Sequence, residues 1–355
     1  MRSVIGLVLA GLGAFLILVA ILMPTWVVGQ ILKFPLNEYE TATLDASNAS
    51  YFSAGSLTEK TGVNMEATYT IKGNASAGNS STAVWNEYSY VYDLTNHQEV
   101  QQMTRTFAFD RRTGQLVNCC DESVNGDKKV RQSGLVGYVF PIGTQKQTYQ
   151  VFDTTLKKTM PFVYSGTTSV HGIAAYEFVE NVSPTRTASI TVPGSLVGMT
   201  AASVTLGEFD EEHLIYYVDP DTGALIDVNE HQSTTLRTSA TAAPTLVLFD
   251  ADLIATPATV DEIVGLDSSG RNELNLLETI LPLVLGIFGG VALLCGIFLG
   301  RKPRDDMAEL VEAAPSAGPE SGQEHHSAEF TGVVPGLNGE SQETVAEAPE
   351  GERPQ

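Results

Sequence analysis

Cys119 and Cys120 are adjacent, and the third cysteine of this 355-residue chain, Cys295, lies far off inside an apolar run, so no disulfide framework can be drawn. Neighbouring Cα atoms are ~3.8 Å apart where a relaxed disulfide prefers ~5.5 Å, so a bond between these two would close a strained ring. A local disulfide ranks first for the pair, buried free thiols second, and a redox or intermolecular role third. His97, His171, His213 and His231 stand far apart, without the spacing of metal ligands. No Gly-x-Ser-x-Gly elbow, His-Glu-x-x-His, phosphate loop or Cys-x-x-Cys is present. The expectation is a protein without catalysis, metal or cofactor.

Two five-residue segments repeat one turn chemistry: Asp110-Arg111-Arg112-Thr113-Gly114 and Asp219-Pro220-Asp221-Thr222-Gly223. In each the aspartate can accept from amides ahead of it, and Gly114 or Gly223 can take the positive φ that closes a hairpin; Pro220 presets φ in the second. These read as structural. Two apolar, glycine-rich runs, 134–143 and 192–199, offer Leu135, Tyr138, Phe140, Leu196 and Met199 as candidates to line a groove for a hydrophobic ligand, or else to fill a core. Asn48, Asn74, Asn79 and Asn181 each open an Asn-x-Ser sequon, a glycan site only in a eukaryotic secretory setting, which the low lysine and abundant Ala, Gly and Thr do not suggest.

The elements that would position these residues follow from polarity patterning. Between Ile31 and Asn275, short stretches rich in Thr, Val, Tyr and Phe alternate in polarity between Gly, Asn, Asp and Pro, the pattern of β-strands. Examples are 105–109, 172–180, 188–192, 213–218 and 245–249. From Thr256 to Leu266, the spacing of Val260, Ile263, Val264 and Leu266 predicts a short amphipathic helix after Thr256-Pro257. A further helical stretch from Asn272 leads straight into an apolar block, so residues 256–279 read as a helical stalk.

Apolar residues make up 43% of the chain and gather in two terminal blocks. Val4 to about Met23 is unbroken and long enough, at ~1.5 Å per residue, to cross a bilayer core of ~30 Å. It exceeds the usual signal-peptide core and lacks a small-x-small cleavage site, so residues 4–28 read as an uncleaved signal anchor after a cytoplasmic stub, 1–3. The block Ile280–Gly300 is followed by Arg301, Lys302 and Arg304, a stop-transfer pattern. Basic residues at both outer flanks predict two passes with both termini cytoplasmic and residues 29–255 facing the periplasm or cell-envelope space. Glycines and alanines recur in both blocks, which would let the helices pack closely.

The fold class expected is therefore mainly β (α+β): an extracytoplasmic domain flanked by N- and C-terminal transmembrane helices. Residues 301–355, rich in Glu, Pro, Gly, Ser and Ala, read as a disordered acidic cytoplasmic tail. A net charge of -22, from 42 acidic against 20 basic residues, argues against a nucleic-acid partner.

Several segments taken together resemble a family of actinobacterial membrane proteins described as PorA-like, the porin PorA family. They are the start Val4-Ile5-Gly6-Leu7-Val8-Leu9-Ala10-Gly11-Leu12-Gly13, the exit Phe34-Pro35-Leu36, the Asp110–Gly114 turn with Cys119-Cys120, Phe140-Pro141-Ile142-Gly143-Thr144, and Tyr217-Val218 with the Asp219–Gly223 turn. The resemblance spans nearly the whole chain and implies a pore in a mycolate envelope. Long apolar helices, however, suit the plasma (inner) membrane, since outer-membrane pores cross with closed barrels or amphipathic assemblies. Class B scavenger receptors are similar in plan alone, with two terminal helices and a β-rich ectodomain that passes lipid, and no motif carries over. The leading expectation is thus an anchored envelope protein that binds a lipid, another hydrophobic ligand or an envelope partner. A porin or channel is the alternative, and a scaffold without ligand the second alternative. Oligomeric state is left open.

Overall fold

The computed structural model describes residues 2–301, so the tail expected to be disordered lies, from 302 on, outside the described residues. The centre is one curled sheet of eleven strands built as two meanders. The first comprises β1 (Tyr39–Ser53), β2 (Thr58–Gly73), β3 (Thr82–Asp93), β4 (Gln98–Asp110) and a two-residue β5 (Ser123–Val124). The second comprises β6 (Tyr149–Asp153), β7 (Lys158–Val170), β8 (Ile173–Pro193), β9 (Ser203–Val218), β10 (Leu225–Arg237) and β11 (Leu246–Ala255). The order is β5-β4-β3-β2-β1-β11-β10-β9-β8-β7-β6, antiparallel throughout, giving a half-barrel whose first long strand and last strand are neighbours at its middle, with Leu44 opposite Ala255.

The strands are longer than the polarity runs suggested. The expected strands 172–180 and 188–192 are parts of one 21-residue β8. Pro184, which reads as a break, is absorbed by register shifts between Val182 and Thr185 and between Arg186 and Ala188 against β9. Such irregularities let a strand carry a proline and bend without ending. At the outer edges the curl is completed by single rungs. Leu116 pairs with Phe109 at the end of β4, Gln115 with Leu135, and Leu135 with Val151 of β6. Backbone bonds Leu116 N to Gly134 O (2.8 Å) and Leu135 N to Gln150 O (2.7 Å) tie these rungs together, so neither edge is left as an unpaired template there.

Period-two alternation sets the inner face. In β3, Ala83, Trp85, Glu87 and Val91 are buried while Tyr88 is exposed. Apolar clusters fill much of the interior: Trp85 stands edge-on to Phe109 at 4.8 Å, and Phe140 stacks on Phe178 at 5.3 Å. Outward positions are polar, with large apolar side chains exposed only singly, as at Leu57, Tyr88 and Ile254. A barrel wall immersed in lipid would present a continuous apolar band instead.

Helix α1 (Arg2–Leu22) runs through a π-turn (Met23–Val27) into α2 (Val28–Ile31). At the other end α3 (Pro257–Asn275) continues through a second π-turn (Leu276–Ile280) into α4 (Leu281–Gly300), with no break between the two expected helical stretches. The Thr256 hydroxyl accepts from the Thr259 amide at 3.3 Å and Pro257 occupies the first turn, a standard start. Rather than standing free as a stalk, α3 is fastened to the sheet. Arg271 pairs with Asp219 (2.6 Å) and Asp221 (2.8 Å), Thr222 donates to Asp267, and His171 of the β7–β8 turn meets Asp261 at 2.8 Å. Both long apolar helices are long and apolar enough to cross a membrane, and most of their side chains, such as Phe15, Phe288 and Phe298, are exposed. They pack antiparallel along small residues, with Gly6 against Gly296 and Gly300, and Gly13 against Gly289.

Candidate functional site

The inner face of the half-barrel bounds a cavity of about 700 Å³. Its wall is polar at its middle because inward positions that elsewhere hold apolar residues here hold charged ones: Glu87 on β3, Arg105 on β4, Glu180 on β8, Asp210 and Glu212 on β9, and Glu230 on β10. Asp153 at the end of β6 and Glu208 bring the carboxylates to seven, facing Arg105, Lys157, Lys158 and Arg186.

One buried ion pair anchors this layer. Arg105 and Glu87 are 2% and 1% exposed, and the guanidinium lies 3.7 Å from Glu87 Oε2. Arg105 donates to Gln132 Oε1 (2.8 Å) and to the Val136 carbonyl (3.2 Å), and covers the Phe107 ring at 4.4 Å. Tyr138 donates to the other Glu87 oxygen. Burial raises the Glu87 carboxyl above its ordinary range, against the lowering effect of Arg105, and it lowers Arg105 in turn.

Across the cavity, Asp153, Glu180 and Glu212 are all buried, with ligand oxygens within 4.8 Å of one another. Burial pushes the Glu180 carboxyl up to about 8 and Glu212 to about 9, the Asp153 charge adding to both, and it raises Asp153 as well. Among the described residues this is the constellation that could hold a metal ion.

A second, smaller space of about 120 Å³ lies beside α3, lined by Leu44, Ile71, Leu225, Thr259 and Ile263. Both spaces share Tyr69, Tyr138, Tyr216 and Glu230, so three tyrosines and one carboxylate form the partition between the polar chamber and the helix that leads to the apolar segment. Tyr69 donates to Glu230 at 3.4 Å.

A family model described as Porin PorA matches residues 5–298. The chain belongs to the porin PorA family. No curated protein matches it. Family membership and two apolar helices make this PorA-family chain a membrane or envelope protein.

The residues singled out from this porin-family sequence fall in different places. Cys119 and Cys120 are joined to each other, on the crossover between β4 and β5, with Cys120 at φ 66°. Asp110 accepts from the amides of Arg112 (2.9 Å) and Thr113 (3.0 Å), and Gly114 has φ 68°. Asp219 accepts from the Asp221 amide (2.8 Å) across Pro220, and Gly223 has φ 77°. Of the five apolar candidates, Tyr138 lines the cavity. Leu135 and Phe140, fully buried, fill the core between β6 and β8, Leu196 packs near Leu206 and Leu246, and Met199 is exposed. The structure thus brings Tyr138 together with Glu87, and the other four stand apart from it. Not singled out in the sequence were Glu87, Arg105, Asp153, Glu180, Glu212 and Glu230. Their signal was available in part, since Phe178-x-Glu180-x-Val182 and Trp85-x-Glu87 place an acid in phase with buried apolar residues.

Glu230 gives this porin-family domain a pH dependence. Burial pushes its carboxyl up to about 7, with the Asp153 and Glu87 charges adding and the Tyr69 hydrogen bond opposing. A folded value above the unfolded one means that the stability contributed is complete below the unfolded value and is lost as pH rises through 7. The loss is of order 2 kcal/mol, below the full linkage value because Glu230 is only half-buried. Thermal unfolding from pH 5 to 8 should show a decline to which Glu180 and Glu212 also contribute, and Glu230→Gln should make it shallower. Parallel slopes for both proteins would show that Glu230 does not titrate in that window.

Proposed function

We propose that the protein is a porin-like envelope component in which two apolar helices anchor a water-exposed half-barrel, and the acidic interior of that half-barrel is the vestibule of a path for small cations and polar solutes. The observation that carries this reading is the adjacency of two spaces: the polar cavity and the smaller chamber meet at the tyrosine partition, and that chamber abuts α3, which runs on into α4. Excess carboxylates over cations in the wall would concentrate cations and repel anions. Membership of the porin family favours this reading over the expected carrier of a hydrophobic ligand. A polar chamber and a 120 Å³ side space also suit an acyl chain poorly.

The polar outer face of the sheet supports placing the half-barrel in water, beside rather than within a bilayer. Basic residues at Arg2 and at Arg301, Lys302 and Arg304 favour both termini on the cytoplasmic side of the inner membrane. Two helices packed together enclose no lumen, so a conducting form gathers several copies around the path, which also gives partners to the exposed helix faces.

The purified full-length protein in planar bilayers tests this. Under a salt gradient we expect stepwise conductance with a reversal potential of the sign for cation preference, stronger at pH 8.5 than at pH 6 because Glu230 ionises between them. Glu230→Gln should reduce that pH effect. Silent bilayers, or anion preference, would sink the reading.

A further inference from the structure

We propose that Asp153, Glu180 and Glu212 form a divalent-cation site in the cavity wall, with a preference for calcium. The inference is independent of whether the protein conducts. It begins with unmet hydrogen-bonding capacity: Asp153 Oδ2, Glu180 Oε1 and Glu212 Oε1 are buried and have no partner. The residues are 6%, 1% and 5% exposed. A buried acceptor left unmatched costs ~1–3 kcal/mol, so three in one place mark either carboxyls that share protons among themselves or a missing ligand.

Their placement argues for the ligand. The three come from separate strands: Asp153 closes β6, Glu180 lies on β8, and Glu212 on β9 opposite Val182, so the ladder brings the two glutamates into adjacent inward positions. Asp153 is held by its other oxygen, Oδ1, which accepts from the Leu156 amide at 2.8 Å and leaves Oδ2 for the cluster. One carboxylate oxygen from each of the three lies within 4.8 Å of the others. Around a calcium ion with bonds of roughly 2.3–2.6 Å, opposed ligands stand roughly 4.6–5.2 Å apart and neighbours closer, so the set fits one coordination sphere with little movement. Magnesium, with bonds near ~2.1 Å and a preference for keeping its water, would require contraction.

The comparison with Glu87 sharpens the point. That carboxylate is as deeply buried, and the chain supplies Arg105 to face it. The triad receives no such contact: among the described residues no lysine or arginine forms an ion pair with any of its members, and Lys158, opposite Asp153 in the ladder, is exposed and acts on Asp153 and Glu180 only through its charge at a distance. An all-carboxylate set without histidine or cysteine selects a hard cation. The adjoining cavity has room for the waters that would complete the shell.

The test uses the full-length protein in detergent, stripped with chelator and titrated with calcium chloride and separately with magnesium chloride by calorimetry. We expect one calcium per chain with Kd at or below roughly 10⁻³ M, weaker magnesium uptake, and a calcium-dependent rise in melting temperature. Glu180→Gln/Glu212→Gln should weaken calcium binding by about two orders of magnitude, since carboxylate charge sets affinity, while Glu59→Gln on an exposed strand end should leave it unchanged. If the double variant lacks the native near-UV spectrum, Asp153→Asn is read in its place. No calcium uptake up to millimolar concentration would overturn the proposal and identify a carboxyl cluster that shares protons. Magnesium binding tighter than calcium, or calcium uptake unaltered by the variants, would overturn it equally.

Discussion

Arg105→Leu is expected to destabilise the half-barrel by about 3–5 kcal/mol, the largest effect of any single side chain facing the cavity, because it strands a buried charge. Glu87 is 1% exposed and would keep only the Tyr138 hydroxyl, while Gln132 and the Val136 carbonyl would lose their donor. Truncating one member of a buried pair costs more than the pair itself contributes, so the double variant Arg105→Leu/Glu87→Gln should recover most of the loss. The single variant's deficit should also shrink as pH falls. Burial already raises the Glu87 carboxyl, and without Arg105 it protonates more readily still, which removes the stranded charge. Chemical denaturation of the full-length protein at pH 5 and pH 8 would measure both. If the single variant is as stable as the parent, or the double variant is no better than the single, the ion pair does not organise the cavity.

The sequence carried the outer plan of this molecule more fully than its interior. Uninterrupted hydrocarbon over about twenty residues leaves few structural choices, so both apolar helices could be placed to within a few residues, and the aspartate-glycine turns followed from local chemistry alone. The strand runs of the middle domain were visible, but their lengths were not. Pro184 and the Thr-rich, partly polar segment around it look like a break in a linear reading, whereas in the sheet two register shifts against β9 carry one strand straight through. The cavity was hidden for a related reason. Whether Glu180 or Glu212 faces water or the interior depends on which face of a curled sheet its strand presents, and that depends on pairing between residues far apart in the chain. Leu135 and Phe140 read equally well as groove lining or as core, because glycine-rich apolar loops look the same whether they line a groove or bridge two sheet edges, which is what residues 134–136 do here.

Gly13→Leu is expected to separate the two apolar helices, and Gly11→Leu, two residues away on the same helix, is expected not to. A Cβ on Gly13 would lie 2.6 Å from the Gly289 carbonyl oxygen, and one on Gly6 would lie 2.6 Å from the Gly300 backbone nitrogen, closer than real Cβ atoms approach. Gly11 has nothing within 4 Å of that position. Because lipid solvates both helices as well as they solvate each other, close backbone approach is the main attraction available to them, and a side chain in the seam removes it. Overpacking costs about 1–3 kcal/mol, which lowers the pairing equilibrium constant by roughly fivefold to 150-fold. Ala20 and Gly286 provide a direct readout, since the Cβ that a residue at 286 would carry lies 4.0 Å from that of Ala20, a separation that a disulfide spans. In a Cys295→Ser background, Ala20→Cys/Gly286→Cys should crosslink readily on mild oxidation. Adding Gly13→Leu should suppress the crosslink and adding Gly11→Leu should leave it intact. Equal crosslinking in both would mean that the helices are held by the sheet, where Leu44 on β1 pairs with Ala255 on β11 and so delivers the two chain ends to one place whatever the seam contributes.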